Sequence, residues 1–223
     1  MSEQTVENRR YMVSVYDQED AGGTLIFTYV PKDLQEGRGL AGVPKRVPQF
    51  IVAVRPGAGE PDFDWSGTPD DPGSSAREQI QAEITARMEE RSTWIARVKA
   101  LVDQVKQWAK EMNWDTRPVE KGIDDVRIGK YRVQALLMQE GTCRALLEPI
   151  ARSSGATEGV VDLYLMPAYD DIASLYFYNN RWNVHYNMAR GTNAVVPALE
   201  TEVMPLSKET LAKVLAEMRQ NAV

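Results

Sequence analysis

The side chains best suited to chemistry are six carboxylates in the second half of the chain: Asp124, Asp125, Glu148, Asp162, Asp170 and Asp171. Convergent carboxylates hold magnesium, and a bound magnesium ion supplies the charge stabilisation that phosphoester hydrolysis needs. Asp125, Glu148 and Asp162 form the candidate metal set. Nucleophilic catalysis has fewer resources, since His185 is the only histidine and Cys143 the only cysteine. A tetrahedral zinc site cannot be assembled from one of each, and a triad base would have to be His185. Period-two alternation through Trp182-Asn183-Val184-His185-Tyr186 sets His185 on the opposite strand face from Trp182, Val184 and Tyr186. It is either a general base, given an ordinary pKa of about 6.5, or a polar residue of the wetter sheet face. Cys143, at a strand edge with no partner signature, reads as a structural thiol.

An aspartate on one strand and a glutamate on the next, following a helix, resembles the order of elements in restriction-endonuclease-like nucleases. That resemblance implies a magnesium site. The chain departs from the pattern where those sites place a lysine two residues beyond the acidic residue: Glu148 is followed by Pro149, Ile150 and Ala151, so Arg152 would have to substitute. Gly37, Gly39 and Gly42 precede a proline-rich segment rather than a helix, so no phosphate-binding loop is present. Metal-dependent hydrolysis is therefore the alternative. The leading reading rests on aromatic residues, because Tyr164, Tyr169, Tyr176, Tyr178, Trp182 and Tyr186 cluster late in the chain and recognition surfaces favour tyrosine and tryptophan. Tyr164, Tyr176, Tyr178, Asp170, Asp171 and Arg181 are the candidate contact residues. The expected function is a non-enzymatic binding or adaptor protein whose partner is another protein, with no cofactor. A third reading is an acidic antagonist of a basic partner.

Charge supports a protein partner over nucleic acid. A formal net charge of −6 opposes broad attraction to phosphates, which clustered Lys and Arg drive. One local exception is the group Lys32, Arg38, Lys45 and Arg46, either an anion-binding loop or a solvated loop between strands. The first ten residues are polar, and no later segment approaches the ~18 apolar residues of a membrane span. With a single cysteine, the expected setting is a soluble, cytoplasmic one.

The elements that position these groups follow from periodicity. Residues 11–16 and 24–30, flanking Gly22-Gly23, have the composition of a hairpin, and residues 49–54 add a third strand. These make a small β unit over 1–57. Residues 58–75, rich in Gly, Pro, Asp and Ser, read as a flexible acidic linker, to which Phe63 and Trp65 are apolar exceptions that pin it to a neighbouring surface. An α+β domain over 76–223 follows. Its long helix opens on a Ser75–Glu78 capping box. Ile80, Ile84 and Met88 form a narrow apolar stripe that widens from Ile95 to Met112. The first half of that helix either projects or covers the N-terminal strands, and the stripe is a core contact or a coiled-coil seam.

Two short strands around Gly122, then strands over 131–139, 142–151, 160–166, 173–178 and 181–186, make an antiparallel meander. Asn179-Asn180 joins the last two, since asparagine tolerates positive φ. Leu175 and Phe177 point to one face and Tyr176 and Tyr178 to the other. Ser207 caps a final helix whose apolar face is Leu211, Val214, Leu215 and Met218.

Overall fold

A computed structural model of the 223-residue chain describes residues 12–17, 24–29, 49–55, 61–66, 68, 73–153, 157–167, 171–186 and 202–221. The protein is α+β. Among the described residues the strands form two sheets, one of four strands and one of seven. The chain divides into two compact units, residues 1–93 with 123–131, and residues 94–122 with 132–223.

In the first unit, β1 (Met12–Asp17) and β2 (Thr24–Tyr29) are the expected antiparallel hairpin. β3 (Gln49–Arg55) runs parallel to β1, and β4 (Asp62–Asp64) closes the order β2-β1-β3-β4. β4 lies within the acidic stretch read as linker. Its sequence has too little apolar surface to order itself, but Phe63 and Trp65 pack on the core formed by Val15, Phe50, Val52, Val54, Ile80 and Ile84. Thr68 adds a clasp, donating from Oγ1 to the Ile51 carbonyl at 2.6 Å and accepting from the Ile51 N–H at 3.1 Å.

Ile80 and Ile84 come from α1 (Ser74–Glu111), so its first half covers the N-terminal sheet. α1 begins one residue before Ser75, with the Arg77 N–H donating to the Gly73 carbonyl at 3.1 Å. Gly73, at φ 80°, thus holds the cap position expected of Ser75.

In the second unit, β5 (Asp115–Asp125), β6 (Gly129–Glu140), β7 (Cys143–Ala151), β8 (Val160–Met166), β9 (Ile172–Tyr178), β10 (Arg181–Tyr186) and β11 (Glu202–Pro205) form a sheet in the order β11-β10-β9-β8-β7-β6-β5. Residues 123–131, around the β5–β6 turn, cluster with the first unit. β5 passes through Gly122 without a break, where two short strands were expected. The turn comes later because Asp125 Oδ1 accepts from the N–H groups of Arg127, at 2.7 Å, and Ile128, at 3.1 Å. Asn179 and Asn180 sit at φ 52° and 56°, the two positive values of a primed hairpin turn.

One face of this sheet is covered by helix. Rows of paired residues, Leu147–Leu163–Ala173 and Val161–Leu175–Val184, are buried there. Trp94 of α1 meets Trp182 with ring centroids 6.4 Å apart, and the Arg97 guanidinium lies 3.9 Å from the Phe177 ring centre. The apolar stripe from Val98 to Ala109 is buried within the unit rather than held open as a seam. α2 (Lys208–Asn221) buries Leu211, Val214, Leu215 and Met218. Ser207 caps it, accepting from the Thr210 N–H at 3.1 Å, and a Lys208–Glu111 ion pair of 2.7 Å ties it to α1. Among the described residues no helix is long and apolar enough to cross a membrane.

Candidate functional site

The second face of the seven-stranded sheet carries a row of polar side chains through its centre. Cross-strand pairing sets Glu148 of β7 opposite Asp162 of β8, Asp162 opposite Ser174 of β9, and Ser174 opposite His185 of β10. Directly opposed residues in an antiparallel pair bring their Cβ atoms within about 5 Å, so the row is continuous. Lys121 of β5 reaches into it, with Nζ 2.8 Å from Glu148 Oε1 and donating to the Pro149 carbonyl at 2.8 Å. The Ser174 hydroxyl donates to Asp162 Oδ1 at 2.7 Å.

Electrostatics distinguish the two carboxylates. Lys121 neutralises Glu148. Burial raises the pKa of Asp162 above its ordinary value; the neighbouring negative charge of Glu148 adds to that, while the Ser174 bond and the charge of Lys121 oppose it. At the other end of the row, burial lowers the pKa of His185. Its Nε2 lies 3.3 Å from Tyr178 Oη, and its ring meets Tyr176 edge-on with centroids 4.7 Å apart.

The same face supplies apolar and aromatic area. Tyr164 was expected as a contact residue but is buried, at 6% exposed, and offers no area to a partner; it pairs with Leu146 and with Ile172, which is 45% exposed, and Val203, opposite His185, is 49% exposed. Arg181 pairs with Tyr178 at one end and Arg144 with Met166 at the other, both exposed.

The structure thus gathers Tyr164, Tyr176, Tyr178 and Arg181 on one face and brings Glu148 beside Asp162. It separates Asp171, whose Oδ2 accepts from the Tyr186 hydroxyl at 2.8 Å, Tyr186 being buried with the helix-covered side. Asp170 lies outside the described residues, as does the loop with Lys32, Arg38, Lys45 and Arg46. Asp125 is engaged in its own turn and belongs to the other compact unit, and Asp124 lies 3.7 Å from Lys130. Among the described residues no three His, Cys, Asp or Glu side chains are grouped to hold a metal. The Ser174–Asp162 bond is direct, whereas a catalytic triad inserts the imidazole between hydroxyl and carboxylate, so the row lacks that order. Cys143 is a half-buried free thiol.

Lys121, Ser174, Arg144, Ile172 and Val203 were not among the sequence candidates. Alternation marks Ser174 as sharing a face with Tyr176, but strand register alone brings Lys121 to Glu148. No protein-family model, curated protein or solved structure matches the chain.

Proposed function

We propose that the chain is a binding protein that engages another protein through the second face of its seven-stranded sheet. The observation that carries this reading is the composition of that face. A polar row, Lys121–Glu148–Asp162–Ser174–His185, is flanked by Tyr176 and Tyr178 and by the exposed apolar side chains of Ile172 and Val203. Aromatic and apolar anchors around polar groups that fix orientation are the makeup of recognition surfaces. The free thiol of Cys143 suits a reducing, cytoplasmic setting.

The test is capture of partners from a cell extract by the wild-type chain and by a Tyr176→Ala/Tyr178→Ala variant, with melting temperature and circular dichroism as controls for folding. The reading expects a specific partner to be lost from a folded double variant. Undiminished capture would contradict it.

A further inference from the structure

Three charges on the second face form no ion pair among the described residues, although the charge of Lys121 reaches Asp162 from its place beside Glu148. The guanidinium groups of Arg144 and Arg181 enter no ion pair or hydrogen bond there. Asp162 bonds only the Ser174 hydroxyl, because Lys121 is held by Glu148 and the Pro149 carbonyl. Pairing fixes their order along the strands. Arg144 is opposite Met166, four residues along β8 from Asp162; Ser174, opposite Asp162, is four residues along β9 from Tyr178, which is opposite Arg181. Because β8 and β9 are antiparallel, both steps run the same way, each advancing about 13 Å along the strands, and the line crosses the sheet obliquely, with Arg144 one strand to one side of Asp162 and Arg181 two strands to the other. The face presents a line of charges: basic, acidic, basic.

Building on the interface proposed above, we infer that the partner lays a strip of complementary charge along this line, with a lysine or arginine side chain on the Asp162 carboxylate and carboxylates on Arg144 and Arg181. Asp162 is suited to the central position. Tyr176 lies diagonally across from it, offering a ring to the stem or charge of an incoming cation. Half-burial makes an uncompensated carboxylate there costly, so a cation has more to gain than at an exposed acid.

A proton accompanies the contact. The groups facing Asp162 are Glu148 from β7, Lys121 from β5, Ser174 and Tyr176 from β9 and Tyr164 along its own strand, with His185 one strand beyond. Burial and Glu148 favour the protonated acid. An arriving cation favours the carboxylate, so any proton on Asp162 passes to the buffer and affinity rises with pH until Asp162 is ionised. Protonation of His185 at low pH adds a repelling charge and acts in the same direction.

The probe is a synthetic extended peptide of about nine residues, with a central lysine and a glutamate about 13 Å to either side. It is titrated to millimolar concentration into the full chain and followed by NMR. A charge-reversed peptide and a glutamine-centred peptide serve as comparators. The lysine-centred peptide is expected to shift Asp162, Ser174 and Tyr176 and to weaken by about tenfold or more in Asp162→Asn. An Arg144→Glu/Arg181→Glu variant is expected to prefer a peptide with lysines at the centre and at both flanks.

Binding of the charge-reversed peptide at equal or higher affinity would overturn the inference. So would unchanged binding to Asp162→Asn, or no shift at millimolar peptide. If the peptides fail while Tyr176→Ala/Tyr178→Ala still loses its partner, the interface stands and the charge pattern falls. If capture is also undiminished, both fall.

Discussion

Glu148 and Asp162 face each other across β7 and β8, and Lys121 forms its ion pair with Glu148 and not with Asp162. Like charges directly opposed on a sheet destabilise it. A fold with no use for the second carboxylate would be better served by an amide or an apolar residue there. That charge, set beside Tyr176 on a face that also exposes Ile172 and Val203, is the group on which the proposed interface turns.

Replacing that charge should stabilise the protein at neutral pH. The folded-state pKa of Asp162 is raised by burial first and Glu148 second. Its favourable contribution is therefore complete below the unfolded value of 3.8 and is lost as pH rises through the folded value. Asp162→Asn should melt at or above the wild-type temperature at pH 7, with the gain shrinking as pH falls toward 4. A gain that grows on acidification would contradict this assignment.

His185 offers a clean titration because it is the only histidine. Burial lowers its pKa from 6.5, so its stability contribution is present above 6.5 and is lost as pH falls through the folded value. The Hε1 resonance should titrate with a midpoint below 6.5 in the wild-type chain. Tyr178→Phe leaves that midpoint below 6.5 if burial is the cause. A midpoint at or above 6.5 would show that a neighbouring acid, rather than burial, governs the ring.

Lys121→Met should destabilise the chain by about 1–2 kcal/mol, since it strands a half-buried carboxylate beside another. A double-mutant cycle with Glu148→Gln isolates the pair. Most of the loss should vanish when Glu148 is already neutral. Additive losses would mean that the lysine acts through packing or through its bond to the Pro149 carbonyl.

Gly159 is predicted to tolerate no side chain. A Cβ there would stand 2.6 Å from Trp94 Cζ3 and 3.2 Å from Trp182 Cη2, and Trp94 is only 1% exposed, so its ring has no room to swing away. Gly159→Ala should cost about 1–3 kcal/mol as overpacking, read as a fall in the denaturant midpoint. An unchanged midpoint would mean that the tryptophan pair repacks freely.

Much of this fold is legible in the residues themselves. Alternation in Ala173-Ser174-Leu175-Tyr176-Phe177-Tyr178 states which side chains share a face, and β8 and β10 keep their expected limits. The final helix declares itself through Ser207. What stays hidden is decided by distant partners. β4 forms in a polar stretch because β3 pairs with it and a core accepts Phe63. β11 forms from the short run Glu202–Pro205 because β10 offers an edge. The site divides the same way: tyrosines and acids are visible one by one, whereas the meeting of Lys121 with Glu148, residues on two strands separated by β6, exists only in the register of the sheet.

The most direct measurement of the interface is site-specific photocrosslinking in cells. A photoreactive residue replaces Val203, 49% exposed on the second face, Ile172, 45% exposed on the same face, or Val126, 94% exposed in the other compact unit. The interface predicts one discrete crosslinked species from positions 203 and 172 and none of that size from 126. Crosslinks to that species from 126 alone, with positions 203 and 172 silent, would contradict it.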